Sequence, residues 1–170
     1  MSSILKVDAI QNANGTSAIS IDSSGNLTAS GNLDLTGYIK NNNPCFLVKD
    51  SATYTSGVLF SGSSNLRIPI NVGNHFVGSN GTFTAPFQGI YMFHVLTMAV
   101  GGGFVRASCR HNSFTTQEHR TADANLGSYM QASSSVMVNM AQNDTFSVIW
   151  GGGTIGGNHN EKQMMGYLIG

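Results

Sequence analysis

Residues 81–100 read GTFTAPFQGIYMFHVLTMAV, and the second half of that stretch decides the fold. From Gly89 to Val100, twelve residues run with almost no polar relief. Pro86 and Gly89 mark a turn ahead of the run. Its side chains divide by twos, as on an extended chain. Tyr91, Phe93 and Val95 share one face; Ile90, Met92, His94 and Leu96 share the other. An antiparallel strand of a small β-domain ordinarily buries one face and wets its opposite. Here both faces call for cover, from a larger fold or from other copies of the chain.

The run sits in a series of similar segments. Apolar β-like stretches recur at 46–48, 58–60, 66–70, 75–77, 82–84, 89–100, 104–109, 136–140, 145–150 and 164–169, separated by Gly, Asn and Ser. Many short strands with regular turn chemistry predict an all-β sandwich or barrel, and no stretch sustains a helical period. The 170 residues suffice for one domain and an appendage. Apolar residues make up 41% and charged ones 9%, against about 25% in ordinary soluble domains. With zero formal net charge, repulsion does not keep such a chain apart, so its apolar surface is expected to be buried by assembly. The eight Lys and Arg are scattered, which argues against nucleic acid and against a polybasic membrane contact.

Residues 1–40 differ in kind. They are rich in Ser, Asn, Gly and Thr, and carry the short repeat SGNLT at 24–28 and SGNLD at 30–34. Ile19/Ile21 and Leu33/Leu35 are aliphatic pairs on one side of extended chain. So thin a segment gains a core only if several copies wrap together. Asn41-Asn42-Asn43-Pro44 reads as a hinge or turn. The first residues, MSSILKVDAIQNANG, interrupt their aliphatics with Lys6 and Asp8, unlike a secretory signal, so synthesis in a cytoplasm is expected, with no membrane insertion. Cys45 and Cys109 form no metal-binding or redox motif; they are expected to be small buried hydrophobes, with a mutual disulfide as the alternative.

Several landmarks together resemble the C1q/TNF-like jelly rolls. Gly81-Thr82-Phe83-Thr84-Ala85-Pro86 followed by Gly89-Ile90-Tyr91-Met92-Phe93 is similar to that family's G-x-F-x-x-P turn and G-x-Y-x-F strand. Residues 134–140 and 142–148 resemble paired strands about its G-D turn, with Asn143 in place of Gly, a residue that also accepts positive φ. Met165-Gly166-Tyr167-Leu168-Ile169 resembles the closing F-x-G-x-L strand without its leading Phe. The resemblance spans residues 45–170 and implies a trimeric head. It assigns Phe83, Tyr91, Phe93, Val95, Phe146 and Tyr167 to the protomer core, and Met92, His94 and Leu96 to the contact between chains.

The opening Ile4-Leu5-Lys6-Val7-Asp8-Ala9-Ile10-Gln11 resembles the start of short fibre-like proteins of bacteriophages. That implies a virion location, with residues 1–22 anchoring on another virion protein through Ile4, Leu5, Val7 and Ile10, residues 23–43 as shaft or linker, and residues 44–170 as head. The expected function is host-surface attachment as a tail fibre. The alternative is a capsid-decorating head fibre or cement protein docked on the major capsid protein, favoured by the short chain. A polysaccharide-degrading spike and a non-viral C1q-like lectin are the further alternatives.

No enzyme constellation emerges. Glu118 and Asp123 lie in a polar stretch with nothing to place them across a cleft. GGGFVRA and GGGTIGG lack the Lys-Ser/Thr of a P-loop. His111 and His119 lack zinc-motif spacing, so neither metal nor cofactor is expected. His94 at a trimer axis would be satisfied by hydrogen bonds, or would hold an ion or titrate near neutrality. Surface recognition is assigned to two expected loops, 111–127 and 151–162, with Arg110, His111, Asn112, Phe114, Arg120, Trp150, Asn158 and His159 as contacts to a host glycan.

Overall fold

The computed structural model describes residues 8–11, 13–30, 43–100, 106–112, 114–120 and 129–169, with the side chains of 117–120 and 129–130 outside that description. The chain forms two compact units, Met1–Asn41 and Asn42–Gly170. The first holds β1 (Ala9–Gln11), β2 (Ser17–Ile21) and β3 (Leu27–Ala29) in one antiparallel sheet. This sheet runs through residue 22, the expected end of the anchor, which falls in the β2–β3 turn. Ile4, Leu5, Val7, Leu33 and Leu35 lie outside the described residues.

The second unit is a sandwich. Its strands are β4 (Cys45–Lys49), β5 (Arg67–Asn71), β6 (Phe76–Val77), β7 (Thr82–Thr84), β8 (Gly89–Val100), β9 (Arg106–His111), β10 (Phe114–Arg120), β11 (Tyr129–Met140), β12 (Thr145–Gly152), β13 (Ile155–Gly156) and β14 (Gln163–Leu168). One sheet runs β10-β9-β12-β7-β6 and the other β11-β8-β14-β4-β5, with β13 also paired to β8. The pairs are antiparallel, and most neighbours are distant in sequence, as in a jelly roll. The all-β expectation holds, and β7 and β8 have the bounds read from their turns.

The inward residues of β8 meet the other sheet in an aromatic core. Phe93 stacks on Phe146 with centroids 3.7 Å apart and planes 1° from parallel. Phe83 meets the edge of Phe93 at 5.6 Å, and Phe46 stacks on Phe76 at 4.8 Å. Phe83, Tyr91, Phe93, Val95 and Phe146 are fully buried. Each such side chain contributes about 1.5–3 kcal/mol by leaving water, and aromatic pairs add about 0.5–1.5 kcal/mol. The Tyr91 hydroxyl donates to the Phe87 carbonyl at 2.9 Å, so its buried polar end is satisfied.

Tyr167 departs from its core assignment: it is 44% exposed. β14 alternates, so Met164 and Gly166 point inward and Tyr167 outward. The expected strand at 58–60 reduces to a single bridge between Val58 and Ile149. Phe60 has φ of 58°, which ends the extended chain there, and its ring plugs the core instead. The loop expected at 111–127 contains β10, paired with β9 along its length, and the one at 151–162 contains β13. β10 escaped notice because it is a polar edge strand, Phe-Thr-Thr-Gln-Glu-His-Arg, without apolar alternation.

Candidate functional site

The most distinctive surface is the outward face of the β11-β8-β14-β4-β5 sheet, and the register lays it out in rows. Met137, Met92, Tyr167 and Cys45 face one another across β11, β8, β14 and β4. Ser135, His94, Met165, Leu47 and Ile70 form the next row, and Ser133, Leu96, Gln163, Lys49 and Arg67 the third. Beyond the first row Asn139 lies opposite Ile90, whose carbonyl accepts from the Ile169 amide at 2.7 Å. The apolar side chains stay open to solvent: Met137 is 67% exposed, Ile90 46% and Ile169 51%, while Met92, His94, Leu96, Leu47 and Met165 are half-buried. Among the described residues of these rows charge enters only at the β4–β5 corner, through Lys49 and Arg67. A contiguous apolar face of this kind marks an interaction surface.

His94 lies at the centre of the face beside Ser135, with Ser133 and Gln163 in the next row. Its Nδ1 lies 2.9 Å from Ser135 Oγ directly across the β8–β11 pair, so one ring nitrogen is satisfied within the chain. Met92, His94 and Leu96 thus share the outward face of the long strand, opposite the core residues Tyr91, Phe93 and Val95.

The residues expected to contact a glycan fall on strands more than on loops. Arg110 and His111 lie on β9, Phe114 and Arg120 on β10, and Trp150 on β12. Trp150 shares the inward parity of Phe146 and Val148, packs against the core, and donates its indole N–H to the Gly153 carbonyl at 2.7 Å. Asn158 Oδ1 accepts from the Asn160 amide at 2.8 Å within its own loop, and a His159 ring nitrogen bonds the Asn65 carbonyl at 2.7 Å, tying that loop to the β4–β5 connection. Phe114 stands out at 78% exposed.

Two polar clusters hold turns together. At one, the Asp144 carboxylate binds His111 Nε2 at 2.7 Å and accepts from Asn112 Nδ2 at 3.0 Å and the Ala141 amide at 2.9 Å. The Asn112 and His111 hydrogen bonds hold its pKa down at about 2. Asn112 Oδ1 accepts from the Thr145 amide at 2.8 Å, which locks the β9–β10 turn to the β11–β12 turn. Asn112 and Asn143 both take positive φ there, 53° and 71°.

At the other cluster, buried Asp50 accepts from the Tyr54 hydroxyl, from Ser63 Oγ at 3.1 Å and from the Ala52 amide at 2.9 Å. Lys162 lies over the Tyr54 ring, 4.8 Å from its centroid, and its Nζ has no hydrogen-bond partner among the described residues. Burial lowers its pKa to about 8, against the pull of Asp50.

Burial and the Asp50 contact raise the Tyr54 pKa, and burial pushes the Cys109 thiol up to about 11. Both cysteines are free, Cys109 in the core and Cys45 half-buried. Among the described residues no group of three or more His, Cys, Asp and Glu is placed to hold a metal ion, and no helix is long and apolar enough to cross a membrane. Asp123 lies outside the described residues, as do the side chains of Glu118, His119 and Arg120.

Comparison with known proteins places this sandwich. The globular domain of zebrafish complement 1qA superposes with a TM-score of 0.59 at 12% identity, covering 75% of this chain and 98% of that one. Eiger TNF from S. frugiperda gives 0.58 at 8%, over 75% and 93%, and murine APRIL 0.56 at 7%, over 75% and 99%. At such identities the likeness speaks for the fold alone. No curated protein sequence matches the chain. The C1q domain model matches residues 46–169, most of the chain, and with the two five-stranded paths and their aromatic core on the page, the chain belongs to the C1q domain family.

Proposed function

We propose that this chain is a non-enzymatic virion fibre subunit of a bacteriophage, a homotrimer whose C1q head is its distal knob. One observation carries the trimer: the apolar outward face of the β11-β8-β14-β4-β5 sheet, with Ile90, Met137 and Tyr167 exposed and Met92, Leu96 and Met165 half-buried on a chain that is only 9% charged. Three heads packed by this face about a threefold axis cover it and leave the other sheet outward. The double-sided apolar character of β8 then has a cause: Tyr91 and Phe93 fill the protomer, and Met92 and Leu96 fill the contact.

The virion role is supported by the opening Ile4-Leu5-Lys6-Val7-Asp8-Ala9-Ile10-Gln11, which resembles the anchors of phage fibres. The head's outer sheet, with exposed Phe114, is offered to a host surface glycan.

Native mass by light scattering tests the trimer. The wild-type chain gives three protomers, and Met92→Asp, which puts a carboxylate into the contact, gives one with the fold retained by circular dichroism. A monomeric wild type ends the reading. Electron microscopy of particles labelled against the head then finds it on the tail for a host-attachment fibre, or on the shell for a capsid-decorating protein; absence from particles removes the virion role.

A further inference from the structure

The N-terminal unit carries a second apolar face that its own strands leave uncovered. The register pairs Ile10 with Ile19 and Ile19 with Ala29, and sets Ile21 opposite Leu27. Ile10, Ile19, Ile21, Leu27 and Ala29 therefore share one face. Ala9, Ser20 and Thr28, paired in the adjacent row, share the reverse with Ala18. Leu27 is 70% exposed and Ile10 53%. The plate itself is well made. The Asp22 carboxylate accepts from the amides of Ser24 and Asn26 at 2.9 Å each and from Asn26 Nδ2 at 2.8 Å, closing the β2–β3 turn. Ser30 Oγ donates to the Ser17 carbonyl at 2.6 Å and ties down the end of β3.

We infer that this face is a self-association surface: three copies of the N-terminal sheet pack their Ile10/Ile19/Ile21/Leu27/Ala29 faces against one another around a common axis. The copy number rests on the trimeric head proposed above. Three considerations select further copies of this chain as the occupant. A three-stranded sheet this short needs its hydrophobic face covered to persist in water. Among the described residues the face carries one charge, the exposed Asp8 at the end of its β1 row, whose carbonyl accepts from the Ile21 amide at 2.9 Å; a ring leaves it at the solvated rim, and the reverse face is polar at Ser20 and Thr28, so a ring with the apolar faces inward closes and does not stack further.

Lastly, copies are the partner at hand. Only residues 31–42 separate the described sheet from the first described residue of the head, a span of at most about 40 Å. Three sheets tethered so to one trimeric head share an effective concentration on the order of millimolar. Ile10 then belongs to this shared core, and docking on the particle falls to the residues before it.

Disulfide trapping in the full-length chain tests the proposal. Leu27→Cys and Thr28→Cys, each in a Cys45→Ser background, place a thiol on the apolar or the polar face of the same strand. Under mild oxidation Leu27→Cys is expected to cross-link between chains at least tenfold faster. It should stop when about two thirds of chains are in disulfide-linked pairs, because the third thiol of a closed ring has no partner. Ile10→Cys repeats the test if Leu27→Cys misfolds.

Equal rates at positions 27 and 28, or no cross-link at 27 in a chain whose mass is three protomers, overturn the proposal and leave the head trimer standing. Protection of residues 9–29 from hydrogen exchange without cross-links means the face is covered from elsewhere, and overturns it too. Cross-linking at 27 that survives in a Met92→Asp chain keeps this contact whether or not the head face assembles.

Discussion

Gly166 shows how a single position can be dictated by its neighbours. A Cβ there would lie 2.5 Å from a carbon of the Phe93 ring and 2.6 Å from one of Phe46, both buried. The family-like Gly of the closing strand is thus a packing requirement. Gly166→Ala is expected to cost about 1–3 kcal/mol of stability by forcing those rings aside, measured by urea unfolding. Phe93→Ala, which removes the ring stacked on Phe146, should cost about 3–5 kcal/mol.

Two charged residues give pH signatures of the same sign in separate windows. Asp144 has its pKa lowered from 3.8 to about 2, so its contribution is present above pH 4 and is lost as pH falls toward 2. Thermal midpoints should therefore drop more steeply over that window for wild type than for Asp144→Asn. Lys162 has its pKa lowered from 10.5 to about 8, so the unfolded chain holds more protons between those values. Stability from this group rises with pH from 8 upward, and the difference in midpoint between wild type and Lys162→Met should shift in favour of wild type between pH 8 and 10.

At the scale of elements, β8 organises the head. It pairs with β11, β13 and β14 and places one face in the core and one outside. Its turns and its alternation were legible at once, because Pro86 and Gly89 bound it and its large side chains recur every second residue. β10 was not legible. An edge strand pairs on one side only, and its polar residues carry no burial pattern to read. Trp150 misled for a related reason: expected to offer its indole to a glycan beside the 151–162 loop, it is an inward residue of β12 packed against the core. A loop role would leave its indole free for a ligand; Trp150→Phe, which removes the bond to Gly153, is expected to lower stability while leaving the head's mass unchanged, by thermal melt and light scattering.

For the whole molecule, the issue is how a weakly charged chain covers two apolar sheet faces, one in each unit. The self-assembly proposed above would cover both, and it carries a thermodynamic signature. If folding and association are coupled, the thermal midpoint rises with protein concentration, because mass action stabilises the associated state. A tenfold dilution should lower the midpoint of wild type and leave that of Met92→Asp unchanged.

The sequence by itself determined the fold class, the long strand with its two faces, the G-D-like turn at Asn143 and the division of the chain near residue 43. These are local facts: periodicity, turn chemistry and composition lie within a few residues of one another. Only the tertiary structure decided that Tyr167 faces outward, that β10 is a strand, that Lys162 and Asp50 are buried together, and that Asp144 clamps two turns. Each of these depends on residues far apart in the chain, brought together by strand pairing and burial, and neither pairing nor burial is written in the neighbours of a single residue.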